Sequence, residues 1–184
     1  MDLSKTAYVI LGMLRLGKRT GYEIKSFVDV STRFFWAASY GQIYPELKHL
    51  EGLGLVEGEP EAQGGRQRRA YSLTPAGERE LRSWIAAGGP LHFELRHEGM
   101  LRFFFADAAT LEEQLELLRT IRAEHERIRD QLRSMHPEAE PGRTESGNRF
   151  PLMTLEFGIA YSDFIAGWCE NLHAQLTREA TTVS

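Results

Sequence analysis

The sequence predicts a mainly α-helical protein in two parts: helices plus one small β-hairpin first, then helices alone. Two observations carry this. Apolar residues recur at three- and four-residue spacing through most of the 184 residues, and the short extended runs lie between residues 55 and 73. Charge divides along the same line. Residues 1–85 hold 12 Lys+Arg against 10 Asp+Glu, and residues 86–184 hold 10 against 16, within a formal total of -4. The expected domains are 1–86 and 87–184.

Ser4 is placed to cap a first helix whose apolar positions are Ala7, Ile10, Leu11 and Leu14, and Gly17 ends it. Thr20 caps a second helix, with Glu23 completing a capping box and Tyr22, Ile24, Phe27 and Val28 as its apolar residues. The run Phe34-Phe35-Trp36 belongs to a connection. A third helix is expected from about Ser39 to Leu53, with Ile43, Leu47, Leu50 and Leu53 on one buried stripe and Gln42, Tyr44, Glu46, Lys48 and His49 opposite. Pro45 is tolerated there if it falls in about the first turn. Residues 55–57 and 69–73 read as two short strands joined by a long Gly- and Arg-rich loop. Thr74 and Pro75 then start a fourth helix carrying Leu81, Trp84 and Ile85.

In the second half, residues 91–105 read as an apolar helix ending in three phenylalanines. Thr110 with Glu113 caps a long helix to about Met135, whose stripe runs Leu111, Leu115, Leu118, Ile121, His125, Ile128, Leu132, Met135. Residues 136–149, with two prolines and two glycines, read as an exposed linker. The last helix, about Pro151 to Leu176, carries two apolar stripes: Phe157, Tyr161, Phe164, Trp168, Leu172, and Leu152, Leu155, Ile159, Ala166. One bundle face needs only one stripe, so the second implies a partner, with a homodimer the simplest choice.

Composition excludes several classes. No apolar run approaches the ~20 residues of a membrane-spanning helix. The start of the chain lacks the basic segment and small-residue site of a secretory signal, so a cytoplasmic protein with no membrane partner is expected. One cysteine, Cys169, permits no intramolecular disulfide, and no phosphate loop, triad or metal motif is present, so neither enzyme, cofactor nor metal is expected. His92 and His97 are poorly spaced for shared ligation, His125 reads as a core or interface histidine, and Cys169 as buried and inert.

Three helices, a hairpin and a fourth helix are the order of a winged helix-turn-helix, with the third helix for a DNA groove and the hairpin as wing. Arg66, Arg68 and Arg69 beside Gly64-Gly65 would supply local positive charge at the wing. Gln42 and Tyr44 are the base-proximal candidates and Lys48 a phosphate candidate. Tyr22 carries two readings, core stacking or a phosphate contact. With Thr20, Lys25, Ser39 and Tyr40 these residues form the candidate DNA-binding set. Phe93, Phe103, Phe104, Tyr161, Phe164 and Trp168 either line an apolar ligand cavity between the two parts or serve core and dimer contacts, the latter being the plainer reading.

Three blocks also resemble a known family: Gly21-Tyr22-Glu23-Ile24; Ser39-x-Gly41-Gln42-Ile43-Tyr44-Pro45-x-Leu47-x-x-Leu50-Glu51-x-x-Gly54-Leu55-Val56; and Gly65-Arg66-x-x-Arg69-x-Tyr71-x-Leu73-Thr74-x-x-Gly77. In this order they are similar to the PadR family of transcription regulators over residues 4–85. The rest resembles its larger members in pattern and length. The resemblance implies a homodimeric repressor that binds a double-stranded DNA operator and responds to a small aromatic or hydrophobic effector. The contrasting reading is a helical protein-interaction adaptor whose winged helix no longer binds DNA.

Overall fold

A computed structural model of the chain describes residues 3–63, 66–91, 93–135 and 149–183. The chain forms two compact units, Met1–Leu91 and His92–Ser184.

The first unit is built around α1 (Lys5–Arg15), which packs against α2 (Gly21–Val30), α3 (Tyr40–Gly52), α4 (Pro75–Ala86) and the second strand of the hairpin. Ser4 Oγ accepts the Ala7 N–H at 3.0 Å, and Gly17 leaves the helix at φ +82°, a left-handed conformation suited to glycine. Thr20 and Glu23 make the capping box as expected. Ile10, Leu11, Ile24, Val28, Ile43, Leu47 and Leu50 are fully enclosed and form the centre of the core. Tyr8 of α1 stacks on Trp84 of α4, with ring centroids 4.5 Å apart, and its hydroxyl donates to Glu80 at 3.0 Å. Those contacts bring α4 back against α1.

Strands β1 (Val56–Gln63) and β2 (Arg66–Leu73) pair antiparallel, from Val56 opposite Leu73 to Gln63 opposite Arg66. The expected long loop is therefore mostly strand. Beyond its root the ribbon has no buried face, so its residues show no apolar alternation. Cross-strand backbone hydrogen bonds form it, and these leave no mark on side-chain pattern. Pro45 lies at the sixth residue of α3, deeper than its cost-free positions, and removes the N–H that would have bonded the Gly41 carbonyl.

In the second unit, α6 (Leu111–Met135) and α7 (Phe150–Val183) lie side by side and antiparallel. Leu118, Ile121, Ile165 and Cys169 form the centre of the seam. Asp163 accepts from Arg129 at 3.3 Å and Arg133 at 2.8 Å across it. Gly158 lets the helices approach, since a Cβ there would lie 2.9 Å from Leu132 Cδ1.

Two boundaries differ from the sequence reading. The helix expected from Leu91 is only α5 (Glu98–Phe104). Leu91, Phe93 and Leu95 alternate at period two, and Gly89 (φ +113°) and Pro90 precede them, so the segment before His97 is not helical. In contrast, α7 continues past Leu176 to Val183. No Gly or Pro interrupts that stretch, and the hydroxyls of Thr177, Thr181 and Thr182 donate to carbonyls one turn back at 2.8–2.9 Å. The expected linker falls almost wholly at 136–148, outside the described residues.

Candidate nucleic-acid interface

The N-termini of α2 and α3 meet at one exposed surface. Gly21 makes this possible: a Cβ there would lie 2.6 Å from Tyr44 Cε1, so the Tyr44 ring rests on the backbone of α2. Tyr44 in turn stacks with Tyr40, with centroids 6.1 Å apart, and Lys25 Nζ sits 5.4 Å from the Tyr40 ring centre. The structure thus joins Lys25, Tyr40, Tyr44 and Gly21 in one strip. Tyr22, next to Gly21, is 58% exposed, which removes the core-stacking reading for it.

Other members of the predicted set have local work. Thr20 is buried; its Oγ1 accepts from Glu23 N–H at 3.1 Å and its own N–H donates to Glu23 Oε2 at 2.9 Å. Burial opposes ionisation of Glu23, yet the N–H groups of Thr20 and Arg19 hold its carboxyl below the ordinary value. Lys25 forms an ion pair with Asp29. Gln42 Oε1 accepts from both the Ser39 N–H (3.0 Å) and the Ser39 hydroxyl (3.1 Å). The Ser39 N–H can only donate, so this end of the amide is the oxygen and the exposed NH2 is what remains to meet a ligand. Lys48 is exposed on the next turn and makes no ion pair among the described residues.

Arg69 is a correction. It was expected at the tip of a loop, but it lies mid-strand opposite Pro60 and is ion-paired with Glu51 of α3. Arg68 is exposed. Arg66 belongs to β2, and its side chain lies outside the described residues. Glu51 is the residue that sequence reasoning missed. Its only signal is an acid on a helix otherwise suited to face phosphates.

In the second unit the expected effector residues do not converge. Phe93, Phe104 and Phe164 are exposed, and Phe104 packs edge-on to Phe105. Tyr161 and Trp168 are partly buried against the α6–α7 seam, Trp168 edge-on to Phe103 at 5.5 Å. A cleft of about 380 Å³ opens between α6 and α7 beside Leu118, Arg122, Cys169 and His173. Arg122 is already held by Glu126 at 2.9 Å and Glu170 at 3.4 Å. Burial pushes the Cys169 thiol up, the nearby Arg122 only partly offsetting it, as an inert thiol requires.

His97 and His125 form a pair at the foot of α5. His97 Nδ1 accepts the Met100 N–H at 3.1 Å, which places the proton of the neutral ring on Nε2. That proton meets His125 Nε2 at 2.9 Å. His125 therefore carries its own proton on Nδ1, which is buried without a partner. While His97 caps α5, its Nε2 has no lone pair for a metal, and no three His, Cys, Asp or Glu gather among the described residues.

Three helices, a two-stranded ribbon and a closing helix, with an exposed aromatic and amide surface on the third helix, define the first unit as a winged helix-turn-helix. This class of domain presents one helix to a DNA groove. Residues 10–83 match the transcriptional regulator PadR-like family and residues 95–177 match the virulence activator alpha C-terminal family. The chain thus carries a PadR-like family domain followed by that C-terminal domain. It is 28% identical over 177 residues to the negative transcriptional regulator PadR of Bacillus subtilis (strain 168), covering 94% of this chain and 97% of that one. The structure of Bacillus subtilis PadR in complex with operator DNA matches at TM-score 0.82 and 26% identity, over 92% of this chain and 98% of that chain. That of the same protein in complex with p-coumaric acid matches at TM-score 0.76 and 25% identity, over 96% and 99%. No helix among the described residues is long and apolar enough to cross a membrane.

Proposed function

We propose that this chain is a homodimeric transcriptional repressor that binds operator DNA through α3 and the β1–β2 wing and is released by a small aromatic acid. The observation that carries the reading is the exposed surface at the N-termini of α2 and α3, where Tyr22, Tyr40, Gln42 and Tyr44 are open to a ligand on a domain that matches a DNA-bound relative. The side chains of Gln42 and Tyr44 meet base edges, while Tyr22 and Lys48 meet phosphates. The first domain, 1–86, reads DNA, and the second, 87–184, pairs subunits and senses the effector.

The dimer rests on α7. Phe150, Met153, Phe157 and Phe164 are each at least half exposed and fall at helical spacing, a stripe left without a partner within one chain. Two copies would place two recognition helices on the half-sites of a palindromic operator. The effector class follows from the p-coumaric acid complex of the Bacillus subtilis relative. By linkage, such a ligand releases DNA only if it binds the DNA-free conformation more tightly than the DNA-bound one. The test is binding to the DNA upstream of the chain's own gene, with and without p-coumarate. Specific binding that p-coumarate or a related small aromatic acid weakens is expected. Equal affinity for unrelated duplex of the same length would defeat the repressor reading.

A further inference from the structure

Glu51 is an acid on the helix proposed to enter the DNA groove, where a carboxylate near phosphates opposes binding unless it has another use. The structure supplies that use. The Arg69 Nη2 donates to Glu51 Oε1, linking the middle of the wing to the last turns of α3. The guanidinium also lies 6.0 Å from the Tyr71 ring centre.

Gly58 leaves the space for this. A Cβ there would lie 2.9 Å from both Glu51 Oε1 and Tyr71 Cε1, and would overlap Arg69 Nε. Tyr71 itself is buried and fixed, its N–H donating to the Arg19 carbonyl at 2.7 Å. The strand is thus anchored at Tyr71, and two residues further out Arg69 reaches back to α3. Beyond that point an isolated two-stranded ribbon has little to hold its direction.

We propose that Arg69 is a positioning residue that fastens the wing to the recognition helix through Glu51, and is not a phosphate contact. The inference rests on the DNA-binding reading above and sharpens it. The Glu51–Arg69 link sets the angle between α3 and the hairpin, and so the distance between the groove contact and the flanking contact. Arg68, next along the strand and exposed, is left as the described arginine that can reach the backbone.

The test measures affinity of the full-length protein for the DNA upstream of its own gene, across a range of potassium chloride concentrations. The proteins are wild type, Arg69→Ala, Glu51→Ala, the double variant, Arg69→Glu, and the exchange of Glu51→Arg with Arg69→Glu. Glu51→Gln and Arg69→Lys serve if the alanine variants do not fold. Each alanine variant is expected to weaken binding by about two- to fivefold, the range of an exposed ion pair, and the double variant no further. The salt slope of Arg69→Ala should equal that of wild type, and the charge exchange should bind better than Arg69→Glu alone. A slope lower by about 0.9, the value of one lost phosphate contact, would overturn the proposal. So would Glu51→Ala binding as well as wild type, or an exchange no better than Arg69→Glu. A wild-type protein that binds no DNA at any salt overturns the parent reading and this one with it.

Discussion

At the scale of single residues, local hydrogen bonds decide what a side chain can offer. Gln42 was legible in the sequence as a polar residue just inside a helix start. Its engagement with Ser39 was not used in that reading, and it changes the chemistry. With Oε1 held by Ser39, Gln42 cannot make the donor–acceptor pair that reads adenine, but its NH2 can meet guanine O6 or N7 or thymine O4. Selection from randomised operators should show a guanine or thymine preference at one position per half-site, lost in Gln42→Ala at a cost of about 1 kcal/mol. His125 was legible as a core histidine from its place on the α6 stripe, but its contact with His97 joins residues 28 apart and left no spacing to read. Burial first, then the neighbouring His97, hold the His125 imidazole below its ordinary value, with Glu124 opposing them. The unfolded chain takes up that proton near pH 6.5, and the folded chain only at lower pH. The unfolded state therefore binds more protons as pH drops below about 6.5, and stability falls with it. Thermal unfolding from pH 8 to pH 5 should show that decline, and His125→Phe should make it shallower. A steeper decline in the variant would contradict the assignment.

At the scale of elements, what could be read was what is encoded locally. The caps at Ser4, Thr20, Thr74 and Thr110 are each made by the residue that the sequence marks, because a cap involves only three or four consecutive residues. The long stripe of α6 was legible for the same reason. The wing beyond its root was not, because its strands form by backbone pairing and expose both faces. The start of α5 was misread because bulky apolar residues at period two were taken for a helix. The root of the wing depends on a close approach that a motif glycine permits. A Cβ on Gly77 would overlap the Leu55 carbonyl oxygen, the same oxygen that accepts the Thr74 N–H at 3.1 Å. Gly77→Ala should therefore cost about 1–3 kcal/mol, as overpacking does, measured by urea unfolding. An unchanged midpoint would show that α4 can shift without loss.

At the scale of the whole molecule, the total charge of -4 understates the affinity for DNA that the first half can supply. The acid is concentrated in the second half, where ion pairs such as Arg133–Asp163 and Arg127–Glu124 tie it to neighbouring arginines. Long-range attraction to DNA should then be weak, and pairing of two subunits must supply much of the affinity. Replacing Phe157 on the open α7 stripe with Glu should shift the protein toward monomer in sedimentation velocity and weaken operator binding at least tenfold. A variant that stays dimeric would place the pairing surface elsewhere. The central claim, that α3 and the wing read operator DNA, is tested most directly by titrating wild-type protein onto the DNA upstream of its own gene at several salt concentrations. A scrambled duplex of equal length serves as the comparison. The account predicts tighter binding to the native sequence at every salt, with affinity falling linearly in log–log form as salt rises. Equal binding to both duplexes, or none to either at low salt, would contradict it.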